Sequence, residues 1–342
     1  MNAMETQMTI SPGLEQLQSE TSRQFADARA TWETCHPACA QAAEEIRATG
    51  RLLLLGMGGS HWINRAAEPF YRQAGIDATA HVVSEYMRAP ISREATVFLT
   101  SQSGASGEVL RYLDAPAAGP VFGLTLDPDS PLATRTHPLL GQGGVEHAYA
   151  ATRSLLITLT LHMGVLAALG ADSEAFVEAL NAPVTAENAE VVAAIAGAKN
   201  AVICARGTMQ GIADAAALSL MELARIPVLG LEAGQFRHGP FEMVDDESAV
   251  IFLRGAGDEG VNIDGLSREL LGHGIRPIVF DFSGEAPVEG ALTVSLPKRQ
   301  GLAAAISVLP VLQKAIIEAS DRMVDQVGVP IRSRKVTSGE AA

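Results

Sequence analysis

Short apolar runs that end in glycine or serine, each followed by a stretch with helical spacing, recur along this chain. Arg51-Leu52-Leu53-Leu54-Leu55 runs into Gly56-Met57-Gly58-Gly59, and Ala95-Thr96-Val97-Phe98-Leu99-Thr100 runs into Ser101-Gln102-Ser103-Gly104. Such runs read as strands buried on both faces. Strands that alternate with helices build a parallel sheet covered by helices. The pattern predicts strands at Arg51–Leu55, Thr79–Ser84, Ala95–Thr100 and Val121–Leu126. Helices are predicted at 60–74 and 107–113, with a long apolar one over 150–169. Ahead of them, residues 12–49 read as helical, interrupted near Pro37.

The rhythm then repeats. Residues 171–190 are more polar, carry Pro183 and read as a helical connector. Beyond them, strands are predicted at Ala201–Cys204, Val228–Leu231, Ala249–Leu253, Pro277–Phe280 and Leu292–Leu296, with helices at 209–224 and 301–324. Two similar α/β units in tandem point to a duplicated domain. The implied division is a helical segment at 1–34, domains at 35–170 and 187–328, and a polar, basic tail at 329–342.

Composition narrows the function. A hydrophobic share of 47% in 342 residues suits a globular core, and a net charge of −14 disfavours nucleic acid as a partner. No apolar run reads as a membrane span, and Met1-Asn2-Ala3-Met4-Glu5-Thr6 has no basic region ahead of an apolar stretch. A cytoplasmic protein with no membrane partner is expected. Cys35, Cys39 and Cys204 read as reduced thiols. Cys35 and Cys39 flank His36, but no second ligand pair follows, so helix thiols rather than zinc are expected there. Neither a metal nor a cofactor is expected.

Ser101-Gln102-Ser103-Gly104-Ala105-Ser106-Gly107 follows a buried strand and opens a helix. Backbone N–H groups there form a concave anion site, the helix N-terminus adds positive potential, and three hydroxyls can donate further hydrogen bonds. A plain Ser/Gly turn with a serine helix cap is the competing reading. Gly56-Met57-Gly58-Gly59-Ser60 ends the first strand without completing a dinucleotide fingerprint, since position 61 is His, and no Walker lysine is present. A small phosphate ester is favoured over a nucleotide.

Gly-x-Gly-Gly-Ser after the first strand, followed about forty residues later by Ser-Gln-Ser-Gly-x-Ser, resembles the SIS (sugar isomerase) domain. The likeness is greatest to the isomerase half of glucosamine-6-phosphate synthase and to shorter deglycases and amino-sugar deaminases, and covers roughly residues 35–337. It implies two tandem three-layer αβα domains, flavodoxin-like with parallel sheets, a helical N-terminal extension and a C-terminal tail. It also implies that Gly58, Gly59, Ser60, Ser101, Gln102, Ser103 and Ser106 hold a sugar phosphate. Glu222 and, sixteen residues on, His238 in His238-Gly239-Pro240 match the family's acid–base pair. There the glutamate moves a proton between adjacent sugar carbons and the histidine helps open the ring. Lys335 resembles the family's C-terminal lysine near the reactive end. In the family the histidine comes from the neighbouring subunit, which implies a homodimer with His238 contributed across the interface.

Several positions depart from the family pattern. Ala105 replaces a common acid, Ser219 stands where a lysine precedes the glutamate, Ala215 replaces another acid, and Ala151 replaces a serine. No N-terminal amidotransferase unit is read in the chain, so free ammonia, a partner or a deamination direction is expected for any C–N chemistry. Two functions stay open: an isomerase, deaminase or deglycase acting on a hexose or hexosamine phosphate, and a non-catalytic sugar-phosphate sensor.

Overall fold

The computed structural model describes residues 10–336, so the readings at Met1–Thr6 and at Thr337 lie outside the described residues. It opens with α1 (Pro12–Thr49). Ser11 caps that helix by accepting the Leu14 N–H at 3.1 Å, and left-handed Gly50 ends it. Pro37 lies inside α1, which corrects the expected interruption. A proline in a helix interior costs roughly 3 kcal/mol. Burial of Leu17, Cys35, Cys39, Ala42 and Ile46 along one face outweighs that cost, and Pro37 itself is exposed.

The first sheet follows in alternation: β1 (Arg51–Gly56), α2 (Gly58–Gln73), β2 (Asp77–Val82), α3 (Val83–Arg88), β3 (Thr96–Thr100), α4 (Gly107–Asp114), β4 (Val121–Thr125), α5 (Pro131–Arg135) and β5 (His137–Leu140). All pairings are parallel, in the order β2-β1-β3-β4-β5. One local expectation is corrected, one strand was not foreseen, and the helical connector is found. Ser84 belongs to α3, not to a strand. The edge strand β5 has no apolar run to announce it, and its Pro138 is tolerated because an edge needs fewer donors. The connector contains α7 (Glu174–Asn181), which follows α6 (Arg153–Ala168) and stops before Pro183.

After α8 (Ala189–Ala196) the second sheet is built from β6 (Asn200–Ala205), α9 (Thr208–Ala224), β7 (Val228–Glu232), α10 (Ala233–Phe236), β8 (Ser248–Arg254), α11 (Asp258–Gly272), β9 (Ile278–Asp281) and β10 (Leu292–Ser295). Its order, β10-β9-β8-β6-β7, repeats the first sheet's pattern read from the other end. The chain then runs into α12 (Gly301–Met323). That helix is long and apolar enough to cross a membrane, contrary to the sequence reading. Most of it is nonetheless buried inside the fold, packed on α8 and α9.

Alternation along the strands builds the layers. Leu52 and Leu54 of β1 and Ile251 and Leu253 of β8 point into one shared core with α1, α2, α6, α9 and α12. Leu53 and Leu55 face an outer cluster with Val97, Leu99 and Tyr112, and Val250 and Phe252 face another with Phe236 and Leu266. Buried Arg153 ties the start of α6 to α1, with Glu20 at 2.6 Å and Asp27 at 3.1 Å.

The two halves meet where α9 lies against α2. Gly211 sets that distance. A Cβ there would come within 2.5 Å of the Trp62 carbonyl oxygen and 2.6 Å of the Ala66 nitrogen. Backbone cannot give way as a flexible side chain does, so Gly211→Ala is expected to cost about 1–2 kcal/mol: overpacking of about 1–3 kcal/mol, partly offset by alanine's better helix propensity. Urea unfolding measures this, and a stabilised variant would show that the helices are not in contact.

Candidate functional site

The first sheet's strand order reverses between β1 and β3, and loops leaving the carboxyl ends of strands at such a point diverge to leave a crevice. A cavity of about 380 Å³ opens there. The first turn of α2 supplies Gly58, Gly59 and Ser60. The loop after β3 supplies Ser101, Gln102, Ser103 and Ser106. From the second half, α9 adds Glu222, and Lys335 arrives on the C-terminal segment. Nine of the ten residues singled out from sequence therefore line one cavity. The tenth, His238, does not line it. It is exposed in the turn after α10, where its N–H donates to the Gln235 carbonyl at 2.9 Å.

The serine loop is held by its backbone. Leu126 N–H donates to the Gln102 carbonyl at 3.0 Å, Leu132 N–H donates to Gly104 at 3.2 Å, and Gly104 N–H returns to Ser101 at 3.1 Å. Gly104 needs to be glycine twice over: its φ is +58°, and a Cβ would lie 2.2 Å from Ser130 Oγ. Ser106 occupies the N-cap of α4 yet makes no side-chain capping bond. Its hydroxyl is thus left for something else, which weakens the plain-turn reading. Gln102 turns partly inward, its Oε1 accepting the Glu146 N–H at 3.2 Å.

Glu222 is half-buried, and burial is the main cause that pushes its carboxyl up to about 7. The Lys335 charge opposes that rise and the Glu146 charge adds to it. Around it the cavity wall is made of small or apolar side chains, Ala151, Leu155, Ala215 and Leu218. Ser219 Oγ is spent on the Ala215 carbonyl at 3.2 Å.

Sequence reasoning missed Glu146. It lies between β5 and α6, is 1% exposed, and gathers donors from the start of α6. The Thr152 N–H and hydroxyl donate to it at 2.9 and 2.8 Å, as does the Ser154 hydroxyl. Lys335 Nζ lies 3.5 Å away. Burial acts to raise its carboxyl, but the Lys335 charge and these hydrogen bonds overcome that and hold it below the usual range. The only sequence signal was an acid shortly ahead of Thr152 and Ser154, a spacing too loose for a capping motif. Tyr149 was missed too. It lines the cavity, and its hydroxyl bonds Ser333 of the C-terminal segment.

The cysteine cluster weighed for zinc lies elsewhere. The Cys35 and Cys39 sulfurs are buried against Gly164, and His36 packs edge-on against Trp32. All three cysteines are free.

Residues 194–308 match the family model described as the SIS domain, a span that includes Glu222 and His238 but not the serine loop. The glutamine–fructose-6-phosphate aminotransferase of Zymomonas mobilis is 29% identical over 237 residues, covering 62% of this chain and 37% of that protein. The chain thus spans well under half the length of that relative. Three solved structures share the fold. The C-terminal domain of glucosamine-fructose-6-phosphate aminotransferase from Francisella tularensis superposes with a TM-score of 0.79 at 16% identity, covering 90% of this chain and 96% of that one. The tagatose-6-phosphate ketose/aldose isomerase from Escherichia coli gives 0.77 at 18% identity, covering 93% and 96%. The glucosamine-6-phosphate deaminase from Thermotoga maritima gives 0.73 at 20% identity, covering 94% and 99%.

The raised Glu222 value has a consequence for stability. A carboxyl whose folded value lies above its unfolded one stabilises through its neutral form. That contribution is complete below the unfolded value and lost as pH rises through about 7. Glu222→Gln is therefore expected to raise the melting temperature at pH 8 and to change it little at pH 4. A destabilised variant at pH 8 would mean that the carboxylate is not held in a desolvating site.

Proposed function

We propose that this chain, which carries a SIS domain and is homologous to the glutamine–fructose-6-phosphate aminotransferases, is an enzyme acting on a hexose or hexosamine phosphate. The observation that carries this reading is the meeting, in one cavity, of four serines from two strand-end loops with a carboxylate pushed up to about 7. An anion needs donors and positive potential, which the loops and two helix N-termini supply. Moving a proton between adjacent sugar carbons needs a base whose affinity lies near neutral pH, which Glu222 supplies.

In this reading the two sheets are two SIS-type domains, near 35–170 and 187–328, with the segment before them and the tail after them as extensions. Ser60, Ser101, Ser103 and Ser106 hold the phosphate with the N–H groups of Gly58 and Gly59, and Gln102 stiffens the loop. Glu222 takes the proton from the carbon beside the carbonyl, giving an enediolate, and returns it to the neighbouring carbon. The Lys335 ammonium offsets the charge that develops. His238 opens the ring from a second copy of the chain, since it does not line the cavity of its own chain. The protein is a cytoplasmic homodimer in this account and takes a small-molecule sugar phosphate. Isomerisation, deamination and deglycation all share the proton transfer. Ala151, Ala215 and Ser219 leave a less charged wall at the reacting end, which bears on the choice among them.

The phosphate assignment is tested by Ser101→Ala/Ser103→Ala. The double variant is expected to bind fructose 6-phosphate at least tenfold more weakly while its weak affinity for fructose stays unchanged, as read by calorimetry. Equal losses for both sugars would remove the phosphate from this loop. The shared site is tested by mixing protomers. Glu222→Gln and His238→Ala chains, each inactive alone in solvent-deuterium exchange over a panel of hexose and hexosamine phosphates, are expected to regain about a quarter of wild-type activity when co-refolded. No recovery would place both residues' work within one chain. Binding without exchange by the wild-type protein would favour a sugar-phosphate sensor instead.

A further inference from the structure

We propose that Glu146 is a positioning residue that keeps the Lys335 ammonium from pairing with Glu222, so that the base stays free. The inference rests on the reading that Glu222 and Lys335 serve the reaction. Its starting point is that Glu146 carries more than a helix cap requires. The Thr152 N–H and hydroxyl and the Ser154 hydroxyl already satisfy its oxygens at the start of α6. A further donor, Lys335 Nζ at 3.5 Å, comes from the far end of the chain.

That end is led to the cavity by separate anchors. The Arg225 guanidinium donates to the Gln326 and Val329 carbonyls at 3.2 and 2.9 Å. The Ser11 hydroxyl donates to the Val327 carbonyl at 2.9 Å. Ser333 pairs with Tyr149, three residues beyond Glu146. Lys335 therefore enters beside Glu146. A lysine stem has four rotatable carbons, and its ammonium is a point charge that pairs with whichever carboxylate is available. Glu222 and Glu146 both feel the Lys335 charge. Glu146 is the better seat because its other hydrogen bonds keep it ionised and immobile. Its own N–H also grips Gln102 Oε1 at 3.2 Å, so this seat is fixed relative to the serine loop.

The test is a double-mutant cycle on solvent-deuterium exchange with fructose 6-phosphate or the most active panel sugar as the probe. Glu146→Gln keeps the shape and removes the charge. It is expected to lower kcat about a hundredfold while KM stays within threefold, because the serine loop is untouched. The acid limb of its pH profile is expected to move to lower pH by about one unit, since the freed ammonium pairs with Glu222. In the Lys335→Ala background the same change is expected to cost less than threefold further and to move the limb less. Multiplying losses, or a lowered melting temperature with kcat intact, would reduce Glu146 to a helix cap and overturn the proposal. Should Glu146→Gln not fold, Glu146→Asp, which keeps the charge one carbon short, is expected to give the same dependence on Lys335. A fully active Lys335→Ala would instead remove Lys335 from the reaction, and the proposal with it. Loss in Lys335→Ala beside a wild-type-like Glu146→Gln would overturn only the role of Glu146.

Discussion

The close approach of α9 to α2 is the contact on which the rest of the molecule depends. Each sheet buries its outer face under its own helices, but the inner faces share one core in which α2 and α9 lie side by side. Because Gly211 lets the two backbones nearly touch, the far end of α9 falls over the loops that leave β1 and β3. Neither sheet alone has both the serine loop and Glu222. A cavity whose walls come from both halves follows from the helix contact, not from either sheet's topology.

The halves repeat the same strand order, so each has a crevice at its own point of reversal. They have used it differently. After β3 the chain offers three serines and the start of α4, where the N-cap Ser106 makes no capping bond and the first turn carries one carboxylate, Glu108. After β8 it offers Gly255-Ala256-Gly257 and then Asp258 and Glu259 in the first turn of α11. Carboxylates at a helix N-terminus occupy the potential that an anion would otherwise exploit. The end of β8 is further consumed by Arg254, buried between Asp264 at 2.6 Å, Asp281 at 2.6 Å and Glu285 at 3.5 Å. A phosphate would meet more carboxylate there, which favours the first half for the anion site proposed above.

The parallel sheets were legible because β1, β3, β6 and β8 are apolar on both faces, a pattern few other structures tolerate. The edge strand β5 was not, since His137-Pro138 carries no such pattern and its place is decided by pairing with β4. Pro37 misled because local propensity cannot weigh the burial on either side of it. The cavity residues divide the same way. Ser101–Ser106 and Gly58–Ser60 announce themselves by sitting between strand and helix, and Glu222 and Lys335 by family likeness. Glu146 has no local signature. What ties it to the cavity is its contact with Lys335, 189 residues away, and sequence spacing is blind to that distance.

The departures at Ala215 and Ser219 also gain a physical meaning from the cavity. With Ser219 bonded to the Ala215 carbonyl, α9 presents Glu222 without a charged neighbour on its cavity-lining face. Among the described residues that line the cavity, the cations are Arg334 and Lys335, and both ride on the C-terminal segment. The proton affinity of Glu222 is therefore set by desolvation first and by the Lys335 charge second. In the role proposed for it, Glu222 would respond to the seating of the segment that carries the cation. Withdrawing Lys335 leaves burial to favour the neutral acid, and pairing it directly with Glu222 favours a carboxylate too well satisfied to take up a proton. A useful base near neutral pH needs the ammonium close enough to be felt but engaged elsewhere, and an ionised, fully buried carboxylate on the neighbouring loop meets that requirement.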